Sequence, residues 1–478
     1  MPEKLWRLLR RRFISGRRFV DARSEIWKIK PVMPRAKYHL ITLGCQMNKS
    51  DSERVATVLD RMGMEETGSE DDADLILINS CSVRQTAEDR IFGKMRDFGR
   101  MKEKNPKLII GVTGCLPGRD RDGVIRAKMP QADLYFPIKD LPQLPRWMAE
   151  LNPEFANEGD IEDDYLAVKP RYANEKQTYV SIQTGCNKFC TYCVVPFSRG
   201  LEKNRPAADV LNEIRERARN GAVEITLLGQ TVNAYLASDR ATGFSKENPY
   251  KDDFAALLWE VNQIPGIERI HYTAPHPRHM TDEVIDALTL PKHVNYLHLP
   301  VQAGNDEVLR RMNRRYTCAE FLEVIRKVRA KSPTIGIGTD IIVGFCGESE
   351  GQFEDTVAMY KAADFDIAYT AMYSPRSGTA AYKAFKDDVP RLEKKRRWMK
   401  LQGLMEDTVL RKNQSYVGRE VEVLVDSWDH GVASGQSREM KLTRFNSAED
   451  LRGATVRVRV TKAFEWMLSS ELVSVVRR

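Results

Sequence analysis

The sequence predicts an α/β protein in three parts: an open parallel sheet, a partial barrel of six β/α units, and a small closing β-barrel. Three observations predict it. Apolar runs alternate with helical patterns from Tyr38 to Val112 and again from Tyr179 to Tyr373. Strands that are apolar throughout, with helices between them, make parallel sheets covered on both faces. From Tyr416 on, short alternating strands take over, the pattern of a small barrel of about sixty residues.

The chain has 478 residues, 42% hydrophobic and 30% charged, in keeping with a globular protein. No run of about 18 apolar residues occurs, so no membrane span is expected. The net charge of +8 arises at one end. Residues 1–40 hold 12 Lys and Arg against 3 Asp and Glu, leaving 63 basic and 64 acidic residues elsewhere. In this arm, residues 1–36, Arg10, Arg11, Arg12, Arg17 and Arg18 alternate with Trp6, Leu8, Leu9, Phe13, Ile14 and Phe19. It has no continuous apolar core of a signal peptide. A basic arm with interleaved aromatics reads either as a phosphate-contacting segment or as a disordered leader.

The first α/β unit is expected over residues 37–150. Strand Tyr38–Leu43 ends at Gly44-Cys45, strand Leu75–Ile78 at Asn79-Ser80-Cys81, and strand Leu108–Val112 at Thr113-Gly114-Cys115. A helix is expected from Asp51 to Met62 with Ser50 or Asp51 as its N-cap, and a longer one from Thr86 or Ala87. Each strand delivers one cysteine past its carboxyl end, the edge where parallel sheets bind ligands. Structural cysteines sit among apolar neighbours inside strands; these follow Gly or Ser. Three thiolates at one edge can hold an iron–sulfur cluster with one iron left open.

Residues 144–177 read as a connector, with Asn152, Pro153, Asn157, Glu158 and the acidic stretch Asp160 to Asp164. The partial barrel is expected over 172–405. Its strands read as Tyr179–Gln183, Ile225–Leu228, Arg269–Thr273, Tyr296–Leu299, Ile337–Val343 and Ile367–Tyr373. Polar residues follow the strand ends: Gln230, Asn233, His276, Arg278, Gln302, Asp340, Ser374 and Arg376. In barrels that edge is the active-site face. A charged helix over Arg391–Lys412 leads to the β-barrel of 413–478. Strands there are expected at Val417–Val425, Met440–Arg444, Ala454–Thr461 and Met467–Val476. Small barrels of this kind bind RNA and single strands, and Arg438, Lys441, Arg444, Arg457, Arg459 and Lys462 are candidate backbone contacts.

The chemistry concentrates at Thr184-Gly185-Cys186-Asn187-Lys188-Phe189-Cys190-Thr191-Tyr192-Cys193. A zinc finger wants four ligands in two pairs, and ferredoxin runs supply a fourth cysteine. Three thiolates in one tight loop ligate three irons of a four-iron cube and leave the fourth open. An open iron can chelate the amino and carboxylate groups of S-adenosylmethionine, and one electron delivered there yields a 5′-deoxyadenosyl radical. Tyr192 is placed to pack beside the adenine. Eight cysteines in a chain this long are no disulfide scaffold, and their clustering indicates metal in a reducing, cytoplasmic compartment. Cys318 and Cys346 read as structural.

From about residue 37 to 475 the chain resembles the radical-SAM methylthiotransferases. Gly44-Cys45-Gln46-Met47-Asn48 with Asp51-Ser52-Glu53, Asn79-Ser80-Cys81-Ser82-Val83-Arg84 and Gly114-Cys115 are similar to the motifs of their N-terminal domain. Gly185–Pro196 with Ser198-Arg199-Gly200 resembles their radical-SAM signature. His298–Gly304 and Thr339–Phe345 fit as well, and the last barrel resembles a TRAM domain. Gln46-Met47-Asn48 and Ser82-Val83-Arg84 point to the MiaB-like branch. Departures are Thr184 in place of Glu, Cys346 in place of Pro, and Ala303 and Asn305 in place of serines.

The resemblance implies two 4Fe-4S clusters, held by Cys45, Cys81 and Cys115 and by Cys186, Cys190 and Cys193. It implies two uses of S-adenosylmethionine: one molecule methylates a sulfur on the first cluster, and the other is cleaved at the second. The radical abstracts hydrogen from C2 of N6-isopentenyladenosine at position 37 of tRNA, and the carbon radical takes the methylthio group. Tyr192, Gln230, Asn233 and Gln302 are candidates for holding the cofactor. Asn48, Arg84, Arg278 and Arg376 are candidates for holding the anticodon stem-loop, with residues beside the first cluster expected to face the base. A flavodoxin or ferredoxin is the implied electron donor. N6-threonylcarbamoyladenosine or a ribosomal protein as substrate, and a non-enzymatic tRNA-binding iron–sulfur protein, are the alternatives. Formation of 5′-deoxyadenosine separates the last of these from the rest.

Overall fold

The computed structural model describes residues 35–82, 85–155 and 162–478. The basic arm up to residue 34, together with Val83, Arg84 and residues 156–161, lies outside them. No helix among the described residues is long and apolar enough to cross a membrane.

The first unit is a five-stranded parallel sheet of β1 (Lys37–Leu43), β2 (Glu65–Glu66), β3 (Leu75–Ser80), β4 (Ile109–Gly114) and β5 (Leu134–Tyr135), in the order β2-β1-β3-β4-β5. Alternation sends Leu75 and Leu77 into one apolar cluster and Ile76 and Ile78 into another, so both faces are covered. The helix after β1 runs Gln46–Arg61, five residues earlier at its start than expected. Its N-cap is Cys45 itself, whose backbone N–H donates to Asn48 Oδ1 at 3.3 Å. The expected connector is partly built into this unit. Helix Leu144–Leu151 buries Leu144 and Met148, and Tyr165, Leu166 and Val168 join the same core.

The second unit carries β6 (Gln177–Ser181), then the antiparallel pair β7 (Gln183–Thr184) and β8 (Lys203–Asn204), then β9 (Glu224–Leu228), β10 (Arg269–Tyr272), β11 (Tyr296–His298), β12 (Gly336–Val343) and β13 (Ile367–Met372). Two parallel three-stranded sheets, β6-β9-β10 and β11-β12-β13, are joined by a parallel bridge between Ile270 and His293. Six strands therefore follow each other in sequence order around an open barrel. Period-2 alternation divides them. Val180, Ile225, Leu227, Ile270, Leu297, Ile337 and Ile341 enter the apolar cluster under the helices. Tyr179, Thr226, His271, Tyr296, His298, Asp340 and Tyr369 share the opposite face, in register across neighbouring strands. The lumen is polar.

The third unit is a closed barrel of β14 (Glu420–Asp429), β15 (Val432–Ser437), β16 (Leu442–Asn446), β17 (Thr455–Ala463) and β18 (Leu468–Arg477), in the order β14-β15-β16-β18-β17. Strand β15, Val-Ala-Ser-Gly-Gln-Ser, has no apolar run and was not expected from the sequence. It is set by a two-residue hairpin turn in which His430 and Gly431 both have positive φ, 47° and 84°. This barrel docks at the amino ends of the central strands. Arg269, the first residue of β10, donates to the carbonyls of Gln436 and Ser437 at 2.9 and 2.8 Å. Arg438 donates to Pro291 O at 2.8 Å, and Lys441 faces Asp366. These two basic residues serve the interface, whereas Arg444, Arg457, Arg459 and Lys462 are exposed.

Candidate active site

In the first sheet, Leu43 pairs with Ser80 and Ser80 with Gly114, so β1, β3 and β4 end level. Cys45, Cys81 and Cys115 therefore leave the sheet side by side, Cys45 exposed and the other two buried. Two glycines permit the crossing. A Cβ at Gly114 (φ 98°) would lie 2.5 Å from Ser80 O, and one at Gly44 would lie 2.2 Å from Asn48 Oδ1. Asn48 is buried, and its amide donates to Asn79 Oδ1 at 3.1 Å and Ser80 O at 3.3 Å. Its polar atoms are thus committed to the sheet edge. Of the described residues expected to face a base, Met47 packs on Ser181, Ser82 donates to Glu88 at 2.8 Å, and Gln46 alone is exposed. Arg84 is outside the described residues.

The second triad leaves β7 through Gly185 (φ 72°), where a Cβ would come within 2.1 Å of Leu201 O. Each sulfur of the loop receives one N–H: Lys188 N to Cys186 at 3.5 Å, Arg314 Nη1 to Cys190 at 3.4 Å, and Val195 N to Cys193 at 3.4 Å. Thr231 Oγ1 lies 3.3 Å from the Cys186 sulfur. Burial pushes the thiols of Cys186 and Cys193 up, Cys193 to about 12. A positive ion is what holds buried thiols as thiolates at neutral pH. Three N–H groups aimed at three sulfurs fit a cluster whose thiolates accept hydrogen bonds. Among the described residues, no three His, Cys, Asp or Glu side chains are grouped to hold a single metal ion.

The remaining candidates divide. Tyr192 is half-buried on the barrel core between two of the cysteines. Gln302 sits at the rim with a left-handed backbone, φ 72°, a conformation that non-glycine residues keep only where the surroundings hold it. Gln230 has a buried Oε1 without a hydrogen-bond partner. Asn233 is spent on the protein: it donates to His276 O at 3.0 Å and accepts from His276 N at 2.8 Å. Arg278 is exposed in the short turn Pro277–His279. Arg376 is buried and pairs with Glu88 at 3.3 Å. Glu88 also pairs with Arg119 at 2.8 Å, and Arg119 donates to Ser377 at 3.2 Å.

The first sheet closes the open side of the barrel from both edges. At β6, Ser50 and Ser181 hydroxyls meet at 3.2 Å. Beyond β13, Glu88 and Arg119 meet Arg376 and Ser377. Between these, Arg199, six residues past Cys193, pairs with Asp51 at 2.5 Å, side chains 2% and 0% exposed. The charge of Arg199 also opposes the upward shift that burial imposes on the Cys115 thiol. The short helices Cys115–Arg119 and Val195–Ser198 touch so closely that a Cβ at Gly118 would lie 2.1 Å from Ser198 O. The segments that follow Cys115 and Cys193 thus meet at one interface. Sequence reasoning singled out neither Arg199 nor Arg314 as a site residue. Arg199 stands in the Ser-Arg-Gly signature; Arg314 is hidden among four arginines, Arg310, Arg311, Arg314 and Arg315.

Six parallel strands with this loop at their carboxyl ends define a radical S-adenosylmethionine enzyme. Residues 180–360 match the family described as the Radical SAM superfamily, and residues 37–137 match Uncharacterized protein family UPF0004. The tRNA-2-methylthio-N(6)-dimethylallyladenosine synthase of Moorella thermoacetica is 39% identical over 92% of this chain and 99% of its own. Those of Carboxydothermus hydrogenoformans and Bacillus subtilis are both 38% identical, over 92% and 91% of this chain and 100% and 86% of theirs. The radical S-adenosylmethionine methyltransferase TsrM of Kitasatospora setae, solved with cobalamin and a 4Fe-4S cluster, shares the fold, with a TM-score of 0.52 at 12% identity over 84% of this chain and 80% of that one. The chain belongs to the family of radical-SAM tRNA-2-methylthio-N(6)-dimethylallyladenosine synthases.

Proposed function

We propose that the protein transfers a methylthio group to C2 of N6-isopentenyladenosine at position 37 of tRNA, using S-adenosylmethionine twice. The observation that carries this reading is the buried Asp51–Arg199 pair, which ties the edge bearing Cys45, Cys81 and Cys115 to the loop bearing Cys186, Cys190 and Cys193. Cys186, Cys190 and Cys193 would hold a 4Fe-4S cluster, which when bound would supply the electron for reductive cleavage of S-adenosylmethionine. Cys45, Cys81 and Cys115 would hold a second cluster, which would carry the sulfur to be transferred.

The chain's own residues orient and exclude. Tyr192 offers an aromatic face beside the loop, and the unpartnered Oε1 of Gln230 is an acceptor for an N–H of the cofactor. Gln302 presents its amide from the strained rim. Asn48 and Asn233 act by positioning, since their amides are spent on the protein. Arg278 and the exposed Arg444, Arg457 and Lys462 are the phosphate contacts. The base leaves its stack to enter the site, at a cost of about a few kcal/mol, least in a loop. Burying the five prenyl carbons contributes about 2–4 kcal/mol at about 0.8 per methylene-sized group. A threonylcarbamoyl group would instead bring in a carboxylate that needs a cation. A flavodoxin- or ferredoxin-like donor in the cytoplasm completes the system.

Anticodon stem-loops carrying isopentenyladenosine, threonylcarbamoyladenosine or adenosine test the reading. Each is offered separately to the reconstituted enzyme and digested to nucleosides for mass spectrometry. The expected product is the methylthio form of the first. Equal or better turnover of the threonylcarbamoyl loop contradicts the substrate and leaves the family.

A further inference from the structure

We propose that Arg314 is a positioning residue for the radical-SAM loop, holding the Cys190 sulfur and raising the reduction potential of the cluster bound there. The inference rests on the reading that this triad holds a cluster. Arg314 lies on a segment that straps the cysteine loop. Thr191 N donates to Met312 O at 3.0 Å, Thr191 Oγ1 to Arg311 O at 2.8 Å, and Asn313 Nδ2 to Phe189 O at 2.9 Å. Residues Asn313 and Arg315, on either side of Arg314, both have φ of 56°, and Phe189 has φ of 50°. Three non-glycine residues in the left-handed region persist only where tertiary contacts hold them. Their effect is to turn Arg314 inward beneath the loop.

Arg314 is 6% exposed, and each nitrogen of its guanidinium has a partner. Its Nε donates to Tyr316 Oη at 3.0 Å, Nη2 to Pro300 O at 3.2 Å, and Nη1 to Cys190 Sγ at 3.4 Å. Tyr316 is itself anchored on Val301 O at 2.7 Å. Among the described residues Arg314 makes no ion pair with a carboxylate, although buried charges are ordinarily paired. The compensating anion is then the thiolate it touches. A cation and an N–H donor on a cluster sulfur stabilise the reduced, more negative cluster. Lys in its place keeps charge but loses the planar fork that reaches three partners at once.

The test uses the full chain with Cys45, Cys81 and Cys115 changed to Ala, so that a single cluster is read. Iron content and an EPR-monitored redox titration are measured after anaerobic reconstitution for this parent and for Arg314→Gln, Arg314→Lys and Tyr316→Phe added to it. Arg314→Gln should keep its iron and shift the midpoint to more negative potential by at least a tenfold change in the one-electron equilibrium, 59 mV. Arg314→Lys should fall between, and Tyr316→Phe, which frees Nε, should shift the same way by less. Iron retained at the parent's potential in Arg314→Gln overturns the proposal. Should that variant lose its iron, Tyr316→Phe decides: a negative shift supports the proposal, and the parent's potential overturns it. A parent without iron removes the cluster reading, and this proposal with it.

Discussion

Asp51 lies in the helix that Cys45 caps, Arg199 directly follows the short helix after Cys193, and the two meet with almost no exposure to water. Two charges so placed repay their desolvation only while both are present. Asp51→Asn keeps the shape but leaves the guanidinium uncompensated, at an expected cost of about 3–5 kcal/mol. Arg199→Ala should cost a similar amount, and the double variant less than the sum, because each single change already removes the shared interaction. Denaturant unfolding of the metal-free chain gives the three values. Additive costs would mean that the pair does not hold the two units together. In the loaded enzyme, Asp51→Asn should still form 5′-deoxyadenosine while losing methylthio product. Arg199 touches the edge of Cys115, and the interface matters for delivery rather than for cleavage.

Short elements set how the two triads approach, and the sequence revealed them unevenly. The strands were legible because each is an apolar run ended by Gly or Ser and a cysteine. The helix after β1 starts five residues ahead of Asp51 because a cysteine caps it, and thiols are not among the usual N-cap residues. β15 was invisible because its polar residues lean on a hairpin turn rather than on an apolar face. Asp51–Arg199 and Arg314–Cys190 span 148 and 124 residues, and no local spacing rule joins positions so far apart. The contact between helices Cys115–Arg119 and Val195–Ser198 is of the same kind, and it depends on one missing side chain. Gly118→Ala should push the helices apart, lowering the melting temperature of the apo chain and the yield of methylthio product. Gly93→Ala, in helix Gln85–Lys104 with nothing within 4 Å of the added carbon, should be neutral or stabilise by about 0.5–1 kcal/mol. Equal effects of the two would show that the close approach carries no constraint.

Across the whole molecule, the partial barrel separates two jobs. Its amino ends seat the closing β-barrel through Arg269, Arg438 and Asn295. Its carboxyl ends carry the cysteine loop, and its open side is filled by the first sheet. At about 3.3 Å per residue, the eight residues of β12 set these ends about 25 Å apart. An RNA that touches both the closing barrel and the active-site face must therefore run along the molecule rather than sit on one tip. The polar lumen between them, with His298 3.2 Å from Asp340, is unlike the branched apolar filling of a closed eight-stranded barrel.

The central claim is that two separate cysteine triads, joined across one interface, serve one reaction. Iron counting on the anaerobically reconstituted chain, with the Cys45/Cys81/Cys115→Ala variant beside it, tests this most directly. The native chain should bind close to eight irons, about four for each triad of ligands. The variant should retain about four, still cleave S-adenosylmethionine to 5′-deoxyadenosine, and make no methylthio product. Loss of all iron from the variant, or methylthio product formed without those three cysteines, would contradict the account.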